Sequence, residues 1–158
     1  MSVRPTAAIL VAPGTNRDRD VALALNLAGA DSVVVSITDL ERDANVINTA
    51  QMIVIAGGFS FADALGSGHV FALELEMLLG DRLQQAVGDG RPIIGICNGF
   101  QTLVRMGLLS SGAGAMALDH NEHGLFDCRW VTLQPSSEKC VWTQGIQDNI
   151  ECPIAHGE

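Results

Sequence analysis

The segment Gly95-Ile96-Cys97-Asn98-Gly99 places a cysteine between a short apolar run and the start of an amphipathic stretch. This is the spacing of the G-x-S-x-G nucleophile elbow, with cysteine in place of serine. A sharp turn forces its central residue into strained backbone angles, and side chains two positions before and after it would collide. Gly95 and Gly99 meet that demand. The pattern predicts a buried strand, a tight turn at Cys97 and a helix that begins at Asn98.

Outward from this segment, short apolar runs alternate with amphipathic ones, as in an α/β domain with a mainly parallel sheet. The helix predicted over 69–87 has Val70, Leu73 and Met77 on one apolar face, and Gly80 interrupts its pattern. The predicted strands cover 7–12, 33–37, 52–56, 92–96, 128–133 and 150–155; the other predicted helices cover 18–28, 44–50 and 98–106, and a loop covers 59–68.

Length and composition limit the classes of protein that the chain can belong to. With 158 residues and 47% hydrophobic content, it is long enough for one folded domain spanning 1–158. A formal charge of −9 disfavours contact with nucleic acid, because phosphate backbones carry the same sign. No apolar run is long enough to cross a membrane, and no signal peptide is evident. Four widely spaced cysteines indicate a reduced protein, which we expect to be cytoplasmic.

Candidate catalytic groups follow the predicted strands, where ligands of parallel sheets bind. At the tip of a helix, the dipole stabilises a thiolate on Cys97, and the Asn98 N–H is placed to donate to an oxyanion. Gly58, after another strand, is a second oxyanion candidate. His156 and Glu158 lie on one face of an extended segment and are a candidate base and its orienting carboxylate. The alternatives are an ordinary buried cysteine, a simple glycine turn and a solvated terminus.

Several motifs together carry a resemblance to a known family. The chain resembles the class I (triad) glutamine amidotransferases, and within them the branch of purine biosynthesis, through Pro13-Gly14-Thr15-Asn16-Arg17-Asp18-Arg19-Asp20, Gly57-Gly58-Phe59-Ser60, Gly95-Ile96-Cys97-Asn98-Gly99-Phe100-Gln101, Phe126-x-Cys128-x-Trp130 and Pro153-Ile154-Ala155-His156-Gly157-Glu158. The motifs span nearly the whole chain in the expected order.

The resemblance implies a flavodoxin-like, mainly parallel sheet with helices on both faces, and hydrolysis of glutamine. Cys97 would form a γ-glutamyl thioester, His156 would shuttle the proton, and Glu158 would orient His156. The remaining implied site residues are Gly58 and Asn98 for the oxyanion, Gln101 for holding glutamine and Asn121 at the border of the pocket.

The resemblance also implies partners and cofactors. Ammonia would pass to a separate synthetase subunit, often through a small bridging subunit, and that synthetase would use ATP and Mg²⁺. We expect no cofactor in this chain itself. The family continues past the His-Gly-Glu motif, so the C-terminal part of its domain is expected to be missing after Glu158.

Two rival functions stay open at this point. One is another Cys-elbow hydrolase, of the intracellular protease or chaperone-like type, although Asn98 stands where those proteins have histidine. The other is a non-catalytic binding module. No zinc-like spacing joins His120, His123 and Cys128, so no metal site is expected, and Cys128, Cys140 and Cys152 are expected to be structural or surface thiols.

Overall fold

A parallel sheet of four strands organises residues 1–117, the first of two compact units in the computed structural model. The structure describes residues 3–110 and 116–158. Along the sheet the strand order is β2-β1-β3-β4, and every pairing is parallel. The strands are β1 (Thr6–Val11), β2 (Asp31–Ser36), β3 (Met52–Ile55) and β4 (Ile93–Gly95), and the helices are α1 (Asp18–Leu27), α2 (Ile37–Arg42), α3 (His69–Gly88) and α4 (Asn98–Arg105).

Helices cover both faces of the sheet, as predicted. Successive side chains of a strand point to opposite faces, and the core divides accordingly. Ile9 and Val54 pack with Val21 of α1 on one face. Their neighbours in β1 and β3 belong to the cluster on the other face, which contains side chains of α2, α3 and α4. Central strands buried on both faces therefore explain why β1 reads as a continuous apolar run.

Helix α3 is continuous through Gly80, but it buries a different face from the predicted one. Leu73 and Met77 are exposed. The buried side chains recur instead every four residues, which is close to one helical turn, and they face the sheet: Phe71, Leu75, Leu79 and Leu83. The prediction for this face was wrong because α3 is apolar on more than one side.

The strand predicted over 33–37 ends one residue early, because Ile37 begins α2. The Ser36 hydroxyl accepts the Asp39 N–H at 3.2 Å, and the Asp39 carboxylate accepts the Ser36 N–H at 3.0 Å. This reciprocal arrangement is a capping box with aspartate in place of glutamate. The Ser36 hydroxyl also lowers the pKa of the Asp39 carboxyl.

The predicted helix over 44–50 is a 3-10 helix, Ala44–Thr49.

The second unit, residues 118–158, contains an antiparallel pair of strands. Strands β5 (Asp127–Leu133) and β6 (Ile150–His156) pair over their full lengths, with Asp127 opposite His156 and Leu133 opposite Ile150. Both strands agree with the predicted ones to within a residue at each end. That the two units make a single domain stays a prediction.

The burial pattern of α3 predicts different outcomes for two leucines on its opposite sides. Leu75→Ala removes a fully buried side chain and is expected to lower the free energy of unfolding by about 2–5 kcal/mol. Leu73→Ala, on the exposed side of the same helix, is expected to cost less than about 1 kcal/mol. Urea denaturation of both variants measures the difference, and equal losses would contradict the observed orientation of α3.

Candidate active site

Cys97 occupies a strained turn between β4 and α4. Its backbone angles are φ 55° and ψ −116°, which residues other than glycine rarely adopt. Cys97 is exposed to solvent. Strain of this kind costs about 1–3 kcal/mol and persists only where the surroundings impose it. The structure thus places the sulfur at a helix tip and in reach of solvent, as the elbow spacing predicts.

Glycine is required at three positions around this turn. A Cβ atom on Gly95 would overlap the carbonyl oxygen of Gly99, and one on Gly99 would overlap the carbonyl oxygen of Ile55. A Cβ atom on Gly57, at the end of β3, would lie 2.9 Å from the Ile96 oxygen and 3.1 Å from the Cys97 Cβ. The backbones of β3, β4 and α4 therefore approach one another more closely than any side chain permits.

The Asn98 N–H is the one N–H in the first turn of α4 that has no acceptor among the described residues. Gly99 donates to the Ile96 oxygen at 3.0 Å and Phe100 to the Cys97 oxygen at 2.9 Å. An unused N–H at a helix start, next to a nucleophile, suits a developing negative charge. The oxyanion role predicted for Asn98 needs such an unused N–H, and the role itself stays a prediction.

Gly58 brings the end of β3 against the loop that follows β1. It has φ 140° and pairs with Thr15 in an isolated antiparallel bridge. The hydrogen bonds around this bridge come from the neighbouring Phe59 N–H, to the Gly14 oxygen at 3.1 Å, and from the Arg17 N–H, to the Gly57 oxygen at 3.3 Å. Within the described chain the N–H of Gly58 itself has no acceptor. The loop after β1, the Gly57-Gly58-Phe59 segment and the turn at Cys97 therefore lie together at the ends of their strands.

The side chain of Asn98 has a role that the sequence reasoning missed. It is only 2% exposed, accepts a hydrogen bond from the Ser60 hydroxyl, and donates from Nδ2 to Asp63 Oδ1 at 2.8 Å. Ser60 and Asp63 lie in the 3-10 turn Ser60–Asp63, directly after the Gly57-Gly58-Phe59 segment. Their partner is 38 and 35 residues away along the chain, so no local pattern indicates the contact.

Gln101 lies one turn into α4, and its N–H donates to the Cys97 oxygen at 3.1 Å. Gln101 is 8% exposed. Its predicted role in holding glutamine stays a prediction.

His156 and Asn121 meet in the second unit. The Asn121 side chain donates to the carbonyl oxygens of His156 at 2.9 Å and Leu125 at 2.8 Å, and its N–H donates to the Gly157 oxygen at 3.0 Å. Asn121 therefore fixes the backbone at the end of β6. That the same residue borders the glutamine pocket stays a prediction.

The surroundings of the His156 imidazole are partly polar. Asp127, opposite His156 in the ladder, receives a hydrogen bond from Arg129 Nε at 2.9 Å, which holds the pKa of its carboxyl below the usual value. The Nδ1 atom of His156 is shielded from solvent and has no hydrogen-bond partner among the described residues. The orienting role of Glu158, two residues past β6, stays a prediction, as does the approach of His156 to Cys97.

The other cysteines are free thiols at a distance in sequence from the elbow. Hydrogen bonds from the Thr143 side chain and the Trp142 N–H lower the pKa of the Cys140 thiol.

Across residues 3–110 and 116–158, no group of three or more histidine, cysteine or acidic side chains is arranged to hold a metal ion. No helix in the same ranges is long and apolar enough to cross a membrane.

Comparison with known proteins decides the family. Residues 4–158 match the CobB/CobQ-like glutamine amidotransferase domain. The chain belongs to this glutamine amidotransferase family. Among its relatives, the phosphoribosylformylglycinamidine synthase subunit PurQ of Treponema denticola is 44% identical over 99% of the chain, and that of Dehalococcoides mccartyi is 40% identical over 95%.

A solved structure supports the fold of this glutamine amidotransferase domain. A chain in the structure of PurLQS from Thermotoga maritima superposes with a TM-score of 0.79 at 34% identity, and the match covers 98% of the present chain and 68% of that one. The present chain spans 63% and 60% of the lengths of the Treponema and Dehalococcoides relatives. The predicted α/β, class I glutamine amidotransferase-like fold is confirmed.

The close backbone approach at the elbow predicts that Gly99→Ala is severely destabilising, by about 3 kcal/mol or more, because its Cβ would meet the Ile55 carbonyl oxygen. Gly88→Ala, at the end of α3 in open space, is the matched control and is expected to change stability by less than about 1 kcal/mol. Urea denaturation measures both. A Gly99→Ala variant as stable as the parent chain would contradict the described elbow.

Proposed function

We propose that this glutamine amidotransferase domain is the glutaminase part of phosphoribosylformylglycinamidine synthase. The observation that carries the proposal is the exposed Cys97 sulfur, held in a strained elbow beside the unused Asn98 N–H. Family membership and the PurQ relatives support the same assignment. The substrate is then glutamine, and the products are glutamate and ammonia.

In the first step, Cys97 gives its thiol proton to His156, and the sulfur attacks the side-chain amide carbon of glutamine. The carbonyl oxygen becomes an oxyanion, which accepts hydrogen bonds from the N–H groups of Asn98 and Gly58. Preorganised donors of this kind are each worth about a hundredfold to a thousandfold in rate. His156 then gives a proton to the leaving nitrogen, the carbon–nitrogen bond breaks, and ammonia departs from a γ-glutamyl thioester on Cys97.

In the second step, water attacks the thioester. His156 accepts a proton from this water, the same two N–H groups hold the new oxyanion, and the carbon–sulfur bond breaks to release glutamate. Glu158 orients the imidazole of His156, and Gln101 helps to hold glutamine. The sum is glutamine and water giving glutamate and ammonia, with Cys97 restored.

The ammonia serves a partner. We propose that it passes to a separate synthetase subunit, with a small bridging subunit in the assembly, and that the reaction takes place in the cytoplasm. The synthetase uses ATP and Mg²⁺ to convert formylglycinamide ribonucleotide to its amidine, and the glutaminase part needs no cofactor. The similarity to a chain of PurLQS from Thermotoga maritima supports an assembly of this kind.

The nucleophile is tested with the protein assembled with its synthetase partner. Cys97→Ala is expected to reduce glutamine-dependent amidine formation at least about a thousandfold, because the attacking sulfur is gone. Supplied ammonium salt is expected to restore amidine formation, since the synthetase would be intact. The assay measures amidine formed from each nitrogen source.

Cys140→Ala is the matched control, because Cys140 is also an exposed free thiol, but it lies outside the elbow. It is expected to retain activity with glutamine. Undiminished glutamine-dependent activity in Cys97→Ala would refute the proposal. If the protein neither hydrolyses glutamine nor reacts with a glutamine analogue, yet hydrolyses other substrates through Cys97, the result would favour a different Cys-elbow hydrolase.

A further inference from the structure

The buried Asn98 carboxamide joins two segments that the chain keeps far apart in sequence. Asn98 and Ser60 are 2% and 3% exposed, so neither polar group has water as a ready substitute partner. The amide oxygen accepts the Ser60 hydroxyl, and Nδ2 donates to the Asp63 carboxylate at 2.8 Å. Hydrogen bonds to a charged acceptor are stronger than neutral ones. The contact is therefore a firm link between the start of α4 and the turn after β3.

The turn that receives this link has a conformation that needs outside support. Phe61, Ala62 and Asp63 have consecutive φ values of 51°, 54° and 54°, which is a left-handed stretch without glycine. L-residues avoid such a run, because their Cβ atoms crowd the following carbonyl oxygens. The Phe61 N–H is anchored to the Pro13 oxygen at 2.7 Å. The Asn98 side chain in turn holds Asp63, the last residue of the run.

The link bears on catalysis because the two candidate oxyanion donors lie in the two segments that it joins. One donor is the N–H of Asn98 itself; the other is the N–H of Gly58, two residues before Ser60. Donors of this kind act only when held to within about 0.5 Å of their working geometry. A misplacement of about 1 Å can cost about a hundredfold in rate.

We propose that the Asn98 side chain, with Ser60 and Asp63, is a positioning device that fixes the Gly58 N–H relative to the Asn98 N–H. This inference rests on the proposed glutaminase function, and it goes beyond it by giving Ser60 and Asp63 a role. None of the three side chains needs to touch glutamine. A leucine at position 98 would fill similar space in α4, but it would leave both partners without their bond.

Two reagents that alkylate Cys97 separate positioning from simple loss of structure. A chloromethyl ketone analogue of glutamine presents a carbonyl oxygen to the oxyanion donors, whereas iodoacetamide reports only an accessible thiolate. In Asn98→Leu, the rate constant for the ketone is expected to fall about 10- to 100-fold. The iodoacetamide rate constant at Cys97 should stay within about twofold. Mass spectrometry of the Cys97 peptide measures both.

Substitutions at Asp63 give a second, independent arm in case Asn98→Leu folds poorly. Asp63→Gly removes the acceptor while suiting the positive φ, and it is expected to show the same selective loss toward the ketone. Asp63→Asn keeps an acceptor oxygen for Asn98 Nδ2 and tolerates the same φ, so it is expected to recover most of that loss. In glutamine hydrolysis, the Asp63→Gly loss should fall on kcat, with KM within about threefold.

Asn48→Leu, at an exposed asparagine of the 3-10 helix Ala44–Thr49, is the matched control and should react like the parent protein with both reagents. Equal ketone rates in the parent, Asn98→Leu and Asp63→Gly would overturn the positioning role. An equal loss toward both reagents, or in Asp63→Asn and Asp63→Gly alike, would also overturn it. A parent protein whose Cys97 reacts with iodoacetamide but not with the ketone would instead refute the proposed glutaminase function.

Discussion

The geometry of the site depends on the backbone contact between Gly99 and the end of β3. The α-carbon of Gly99 packs so near the Ile55 carbonyl that no side chain fits between them. This contact lets α4 begin directly against the sheet, so the chain must reverse within one residue, at Cys97. The strained angles of Cys97, the unused Asn98 N–H and the nearness of Gly57 to the Cys97 side chain all follow from it.

The parallel sheet positions the loops that surround Cys97. Parallel pairing of β1, β3 and β4 brings their carboxyl ends to one edge, where a strand-end loop from each contributes backbone to the same neighbourhood. The buried Asn98 side chain then connects α4 to the turn after β3. In the second unit, Asn121 anchors the backbone of His156 at the end of β6. Backbone contacts and the side chains of Asn98 and Asn121 thus hold most of the candidate site residues in place.

Local patterns in the sequence predicted much of this arrangement. The elbow was predictable because Gly95 and Gly99 lie within four residues of each other in the sequence. Strands β1 and β3 were predictable because both of their faces are buried, which makes each strand a continuous apolar run. The start of α2 at Ile37 was missed, although Ser36 and Asp39 carry its capping pattern. The buried face of α3 was assigned wrongly, because that helix is apolar on several sides and only the sheet decides which side packs.

Contacts between distant residues could not be predicted in the same way. Nothing in the sequence around Ser60 and Asp63 indicates their hydrogen bonds to Asn98, which lies 38 and 35 positions further along the chain. The same holds for Asn121, whose partner His156 lies 35 residues away. Such pairs depend on how the loops close over the ends of the strands, which no spacing rule within one segment encodes.

The central claim, that Cys97 is a nucleophile toward a carboxamide, is tested most directly by trapping its intermediate. The assembled enzyme would be mixed with isotopically labelled glutamine, quenched in acid within its first turnovers, digested, and examined by mass spectrometry. We expect a labelled γ-glutamyl group on the peptide that contains Cys97, and we expect it to be absent when hydroxylamine is added before digestion. Turnover of glutamine with no adduct on Cys97, or with the label on another cysteine, would contradict it.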